Sequence, residues 1–340
     1  MKAEILALLR ERADYVSGQE LCERFGVSRT AVWKAIGRLK EEGYRIEAVP
    51  NKGYRLLETE EVYGQNEIAS RMNTKWVGKP VLFFDCIGST NAQAKIDAEN
   101  GAGSGTLLVA DMQTAGRGRR GRSWTSPAGT NIYYTLILKP KFDPDKASML
   151  TLVMAMAVSE GIEKYLADNG CKDVTCGIKW PNDVVLSGRK CVGILCEGAF
   201  DPEGRLCVIM GVGFNGNQRV FPPELAASAT SLFLEKQRQN PDAEPVILRE
   251  LLTAFLEAAE KAADRLEEGG LPAILPEYRA RSVTIGSAVR VIAPTEEYIG
   301  QAEGMDASGS LLVRDGSGVL RTVVCGDVSV RGLMGYAEGT

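Results

Sequence analysis

The apolar pattern changes character twice along this 340-residue chain, and no single repeating architecture accommodates all of it. Over the first 60 residues, short helical periods carry their own start and stop signals. Ile5, Leu6, Leu8 and Leu9 predict a short first helix. Ser17 followed by Glu20 forms a capping box, which satisfies N–H groups that the first helical turn leaves without partners. Leu21, Cys22 and Phe25 then point inward, and Gly26 stops the helix in a tight turn. Ser28 caps a third helix with Ala31, Val32, Ala35, Ile36 and Leu39 at helical spacing, ended by Gly43. Residues 44–49 and 53–57 read as two strands joined by Pro50-Asn51-Lys52. Helix, turn, helix and hairpin make a winged helix-turn-helix.

From about residue 80 the period changes. Strand candidates at 81–85, 106–111, 132–139, 184–186, 192–197 and 206–212 alternate with helix candidates at 91–99, 147–169 and 247–267. This is α/β or α+β built on one mixed sheet. From about residue 281 only short strands remain, at 288–292, 298–305, 310–313, 320–324 and 327–330, with Gly and Asp turns between them. That pattern predicts a small SH3-like β-barrel. The expected fold class is α+β, with a winged helix-turn-helix at 1–62, a central mixed-sheet α/β domain at 63–278 and the barrel at 279–340. Residues 61–75 are polar and predict a linker or a short connecting helix.

Composition narrows the chemistry. The chain contains no histidine, which excludes every Ser-His-Asp or Cys-His mechanism and every His-ligated metal. Catalysis would rest on Lys, Arg, carboxylates, backbone N–H groups or a cofactor. The formal charge is −4, so a nucleic-acid contact needs a local basic patch. Eight cysteines occur with no C-x-x-C pair, which predicts reduced, mostly buried thiols and a cytoplasmic setting. The N-terminus has no apolar core of signal-peptide length. The apolar run at 150–158 is far short of the roughly 18 residues a membrane span needs, so no membrane partner is expected.

The third helix carries Arg29, Lys34, Arg38 and Lys40 with no acid before Glu41. A basic face on that helix suits a phosphate-lined major groove. Arg29, Thr30 and Trp33 stand near its N-terminus, where base edges are read, and Lys52 at the wing tip can reach a phosphate. The alternative is a winged helix used for protein contact, its charges merely solvated. One such unit reads little sequence, so a specific operator implies a dimer.

Gly116-Arg117-Gly118-Arg119-Arg120-Gly121-Arg122 formally matches G-x-G-x-x-G, but Ser123-Trp124-Thr125-Ser126-Pro127 and a strand follow it instead of the helix a dinucleotide fold requires. Four arginines within six residues repel one another unless an anion sits among them. Guanidinium groups bind carboxylate and phosphate in forked pairs, and the glycines let backbone approach a ligand. A phosphorylated or acyl-phosphate ligand is the sharp reading; a solvated basic loop or a nonspecific nucleic-acid patch is the bland one. Lys179-Trp180-Pro181-Asn182-Asp183 and Gly188-Arg189-Lys190 read as strand, turn and strand, so Lys179 and Lys190 can face one cleft. Asp183 can hold Mg²⁺ together with water and ligand phosphates, or simply cap its turn. In Gly211-Val212-Gly213-Phe214-Asn215 the small residues admit a ligand to the strand, and Asn215 offers donor and acceptor.

Together these segments, with Gly88-Ser89-Thr90-Asn91 and Gln113-Thr114-Ala115, resemble the biotin protein ligases, and specifically the bifunctional kind that also represses a biotin operon. The resemblance covers nearly the whole chain. It implies that ATP and biotin react, with Mg²⁺, to give biotinyl-5′-AMP, and that a lysine of a biotin carboxyl carrier domain of a carboxylase then displaces AMP. It places Ser89, Thr90, Asn91 and Gln113 at the biotin end, and Arg117, Gly118 and Arg119 over carboxylate and phosphate. Arg122 and Trp124 would cover the adenylate. Lys190 would be the catalytic lysine beside Arg119; Lys179 and Asp183 would handle phosphates and metal, Asn215 the ribose or phosphate, and Arg331 the ATP phosphates. It also implies a ligand-promoted homodimer on operator DNA. A biotin-sensing regulator without ligase activity and a lipoate-type ligase are the other readings.

Overall fold

In the computed structural model, the described residues are 1–12, 14–57, 62–141, 147–171, 174–293, 296–325 and 329–332, the last four as backbone. They form two compact units, Met1–Asn73 and Thr74–Thr340.

The first unit holds α1 (Lys2–Arg12), α2 (Gly18–Phe25), α3 (Arg29–Glu41), the hairpin β1 (Ile46–Val49) and β2 (Gly53–Leu56), and α4 (Gln65–Arg71). The caps lie where the sequence places them. Ser17 accepts from the Glu20 N–H, Gly26 is left-handed at φ 63°, and Ser28 accepts from the Ala31 N–H. Ile5, Leu9, Leu21, Val32, Ile36 and Leu39 close one core. Residues 65–71 form a helix that belongs to this unit, fastened by Glu67, which salt-bridges Arg10 of α1 and Arg71 of its own helix.

The second unit is built on a seven-stranded sheet in the order β3-β4-β5-β9-β8-β7-β6. The strands are β3 (Val81–Ile87), β4 (Leu107–Gln113), β5 (Ile132–Leu138), β6 (Cys176–Lys179), β7 (Asp183–Leu186), β8 (Arg189–Phe200) and β9 (Leu206–Phe214). Only β3 and β4 run parallel; the other neighbours are antiparallel. The central strands are apolar on both faces because helices cover both. On one face α5 (Thr90–Glu99) sets Ala94 and Ala98 against Leu108, Ile137 and Ile209. On the other, Tyr134 meets Met154 of α6 (Met149–Asp168), and α8 (Leu248–Gly269) packs over α6. A Cβ at Gly161 would lie 2.6 Å from the Phe255 ring, so these two helices meet where α6 has no side chain. Two short helices, α7 (Leu232–Gln239) and α9 (Leu275–Arg281), complete the layers. No described helix is long and apolar enough to cross a membrane.

The C-terminal strands β10 (Ala288–Ile292), β11 (Glu297–Met305), β12 (Leu311–Asp315), β13 (Leu320–Val323) and β14 (Ser329–Gly332) pair antiparallel in the order β13-β12-β11-β10-β14. The expected barrel is not closed: among the described residues β13 and β14 stay at opposite edges of an open sheet. This sheet grips the turn after β6. The Trp180 amide donates to Thr284 Oγ1 at 2.9 Å, and its indole N–H donates to the Gly309 carbonyl at 3.1 Å.

Candidate functional site

On the α5 face of the large sheet the register exposes bare backbone. Thr135, Gly211 and Leu195 share one cross-strand row; Tyr133, Gly213 and Gly193 share the next. A Cβ at Gly211 would stand 2.0 Å from Asn91 Oδ1, and one at Gly213 would stand 2.5 Å from the Trp124 indole. One at Gly193 would come within 2.8 Å of the same ring. Glycine at these strand positions allows close approach.

Over this floor lies a cleft of about 780 Å³. Its lining brings together Ser89, Thr90 and Asn91 from the start of α5, Gln113 from the end of β4, and Arg117, Gly118, Arg119, Arg122 and Trp124 from the arginine loop. Lys179, Asp183, Lys190 and Asn215 line the same cleft. Arg331 falls in β14, where its backbone is opposite Arg290; its side chain lies outside the described residues.

One end of the cleft is a hydrogen-bonded polar wall. Gln113 Oε1 accepts from the Thr90 amide at 2.9 Å, and Gln113 Nε2 donates to Ser126 Oγ at 3.1 Å. Asn91 Nδ2 donates to Glu197 Oε2 at 2.8 Å, and its Oδ1 accepts from Thr135 Oγ1 at 2.7 Å. Burial opposes the Glu197 charge, but Lys95 at 2.6 Å and Asn91 outweigh it and hold the carboxyl below its ordinary range.

The other end is cationic. The arginine loop is a tight excursion: Gly118 N–H donates to the Arg122 carbonyl at 2.7 Å and Trp124 N–H to the Gly116 carbonyl at 2.9 Å. Arg120 and Gly121 take left-handed φ of 58° and 72° to turn it. Arg119 donates to Asn182 Oδ1 at 2.8 Å, and Asn182 Nδ2 donates to the Ile194 carbonyl at 2.9 Å, which ties the guanidinium to the strand below. Lys190 Nζ is 2.7 Å from Asp183 Oδ1 and 5.4 Å from the centre of the Trp124 ring. The Trp124 indole N–H is buried without a hydrogen-bond partner among the described residues. Asn215 Nδ2 is committed to the Thr230 carbonyl at 3.0 Å.

Thr135, Asn182 and Glu197 have no assigned role in the sequence reading. Thr135 and Glu197 sit in apolar strand runs, and only the register with its neighbours reveals them. Asn182 lies inside a recognised motif, but nothing local links it to an arginine 63 positions away. The described residues contain no cluster of three or more metal-ligating side chains. The Asp183 carboxylate is instead a single acid in the cleft lining, paired with Lys190.

In the first unit, Arg29, Thr30, Trp33, Lys34 and Arg38 all lie on the exposed face of α3, with Trp33 67% exposed. Arg29 also donates to Gln19 of α2 at 3.1 Å. Lys52 is exposed at the wing tip, its ammonium 5.6 Å from the centre of the Tyr15 ring. All eight cysteines are free thiols; burial pushes Cys176 up to about 12 and Cys196 up to about 11, so neither is a nucleophile near neutrality.

Three family models match the chain: an HTH domain over 2–55, the biotin/lipoate A/B protein ligase family over 83–215, and a biotin protein ligase C-terminal domain over 284–331. The bifunctional ligase/repressor BirA of Bacillus spizizenii is 38% identical over 90% of this chain and 91% of its own length. That of Escherichia coli is 31% identical over 96% of each. Among solved structures, a biotin protein ligase from Aquifex aeolicus in complex with biotin and ATP is 28% identical and superposes with a TM-score of 0.64 over 75% of this chain and 99% of that one.

Proposed function

Because the chain belongs to the family of bifunctional biotin ligase/repressors, we propose that its cleft joins biotin to ATP and its winged helix binds operator DNA. The protein is an ATP-dependent biotin protein ligase that forms biotinyl-5′-AMP. It transfers biotin to a lysine of a carboxylase's biotin carboxyl carrier domain, and it represses transcription through its N-terminal unit. The observation that carries this reading is the polarity of the cleft, with a neutral hydrogen-bonding wall at Thr90 and Gln113 and cations at Arg119 and Lys190.

Biotin's carboxylate attacks the α-phosphorus of ATP and pyrophosphate leaves. The nucleophile is already an anion, so the lack of histidine costs nothing here. The barrier is charge crowding at phosphorus, and fixed cations relieve it. Ser89, Thr90 and Gln113 hold the ureido ring, with Asn91 behind them. Arg117, Gly118, Arg119 and Lys190 take the carboxylate and the phosphate to which it becomes joined. Trp124, packed against Gly193 and Gly213, covers the adenylate with Arg122, and its buried indole N–H is a donor for that ligand. Lys179 and Asn215 complete the nucleotide side. Asp183 would hold the magnesium that accompanies ATP, which would offset phosphate charge. In the second step the acceptor lysine attacks the acyl carbon as a neutral amine, and AMP departs.

The open C-terminal sheet is read as part of an SH3-like module, with the chain's working parts at 1–62, 63–278 and 279–340. Repression on a two-fold operator requires a homodimer, which adenylate promotes, and the setting is the cytoplasm. Incubation of the full-length protein with ATP, magnesium, a carrier domain, and biotin, lipoate or octanoate in parallel tests the reading. Pyrophosphate and labelled carrier are expected with biotin alone. No labelled carrier with any acid would eliminate ligation.

A further inference from the structure

The wall at the biotin end forms a hydrogen-bond chain with a defined direction. It starts at Lys95, whose ammonium lies 2.6 Å from Glu197 Oε1. Glu197 is half-buried and held as a carboxylate, so toward Asn91 it can only accept. That fixes which way the Asn91 amide faces, with Nδ2 toward Glu197 at 2.8 Å and toward the Leu195 carbonyl at 3.4 Å. Both amide hydrogens are directed at β8. The Asn91 oxygen is left to accept, and the Thr135 hydroxyl gives it the one proton it has, at 2.7 Å. Thr90 Oγ1 donates to Gln113 Oε1 at 3.2 Å and lies 2.8 Å from Thr135 Oγ1, toward which it can only accept whatever share of the Thr135 proton Asn91 leaves. Gln113 Oε1 is itself fixed as the acceptor of the Thr90 amide. The single proton of Thr90 is consumed inside the protein, and its hydroxyl presents only lone pairs to the cleft.

We propose that Glu197 is a specificity-determining positioning residue: through Asn91 and Thr135 it fixes Thr90 as an acceptor that selects a ligand carrying an N–H at this wall of the cleft. This rests on the reading of the cleft as a biotin site, since a cyclic urea supplies that N–H and a dithiolane or a plain alkyl chain does not. Glu197 touches no reacting atom. Its effect passes along closely packed neighbours: Thr135 is fully buried, and a Cβ at Gly211 would meet the Asn91 amide at 2.0 Å. A site built to hydrogen-bond a substrate N–H discriminates strongly against an analogue lacking it, because its own buried groups are then left unpaired.

The test is steady-state kinetics of the full-length protein with a carrier domain, varying biotin, an analogue methylated on one ureido nitrogen, and ATP. In Glu197→Gln the new amide can donate or accept, so Asn91 can turn over and Thr90 loses its fixed polarity. We expect the KM for biotin to rise about tenfold or more, the KM for ATP to stay within about twofold, and the preference for biotin over the methylated analogue to shrink at least about fivefold. Thr135→Val cuts the same chain at another link and is expected to copy this pattern, whereas Thr135→Ser, which keeps the hydroxyl, restores it. The Thr135 pair decides the matter should Glu197→Gln fail to fold. Unchanged biotin KM and unchanged analogue preference in Thr135→Val and any folded Glu197→Gln would overturn the inference while wild-type turnover of biotin leaves the ligase reading intact. A wild-type protein that never turns over biotin would overturn both.

Discussion

Lys190 and Asp183 form an ion pair at 2.7 Å across the hairpin of β7 and β8, at the lip of the cleft floor. A lysine held in place by a carboxylate is a fixed cation that need not reorganise as charge builds at phosphorus. Lys190→Ala is expected to slow pyrophosphate release in the first step by at least about tenfold, roughly 1.4 kcal/mol of transition-state stabilisation. A normal burst of pyrophosphate would remove Lys190 from the mechanism. Asp183→Asn is expected to raise the magnesium concentration for half-maximal rate several-fold; an unchanged requirement would leave Asp183 as the partner of Lys190 alone.

The Arg119 guanidinium lines the cleft and donates to Asn182 Oδ1 at 2.8 Å, and Asn182 is itself held by the Ile194 carbonyl. The adenylate is a mixed anhydride, and its lifetime depends on how well these groups exclude water. Arg119→Ala is expected to shorten the half-life of enzyme-bound adenylate in buffer more than it weakens biotin binding. Asn182→Ala, which removes this bond without deleting the guanidinium, should lie between the variant and the wild type. A hydrolysis rate unchanged in Arg119→Ala would count against the loop as a shield.

The parts of this molecule legible in its sequence are those that local rules determine. The serine caps and Gly26 delimit α2 and α3 within a few residues, and the apolar runs of β4, β5 and β9 identify the middle of the sheet because both faces there are buried. The cleft-lining cations and glycines are legible as well, since guanidiniums crowded among glycines have few structural uses. What escapes is non-local. The short strand β6 is defined by its pairing with β7, not by its own composition. The helix α7 carries Glu235 and Lys236 buried, against the usual pattern, because Glu235 meets Arg189 at 2.7 Å and Lys236 meets a backbone carbonyl at 3.0 Å. Thr135 reads as one more strand residue until the register brings it beside Asn91, 44 positions away.

Operator binding and ligation are expected to separate by mutation. Arg29 and Thr30 lie exposed at the N-terminal end of α3, the part of such a helix that meets base edges. Arg29→Ala should weaken operator binding by about 1–3 kcal/mol and leave carrier labelling unchanged. Lys52→Ala should weaken binding to all sequences alike and reduce the salt dependence by about one ion. Filter binding across a salt series, beside a labelling assay, measures both. Equal loss of the two activities in Arg29→Ala would mean that the winged helix is needed for the catalytic part to fold or work.

Acid stability tests a carboxylate far from the cleft. Glu260 of α8 receives the backbone N–H groups of Lys75 and Trp76 at 2.8 Å and of Val77 at 3.0 Å, pinning the chain where the second unit begins. Burial opposes its charge, but these donors and the Lys75 ammonium outweigh it, so its folded pKa lies below the ordinary 4.5. A carboxyl depressed on folding contributes its full stabilisation above the unfolded value and loses it as pH falls through the lower folded value. Glu260→Gln leaves these amides with a poorer acceptor and is expected to cost about 1–3 kcal/mol at pH 7. Because the wild type loses its advantage as Glu260 protonates, the gap between the two proteins should narrow below about pH 4. Urea unfolding at pH 7 and at pH 4 or lower reads this directly, and a gap of the same size at both would show that Glu260 acts through packing and not through its charge.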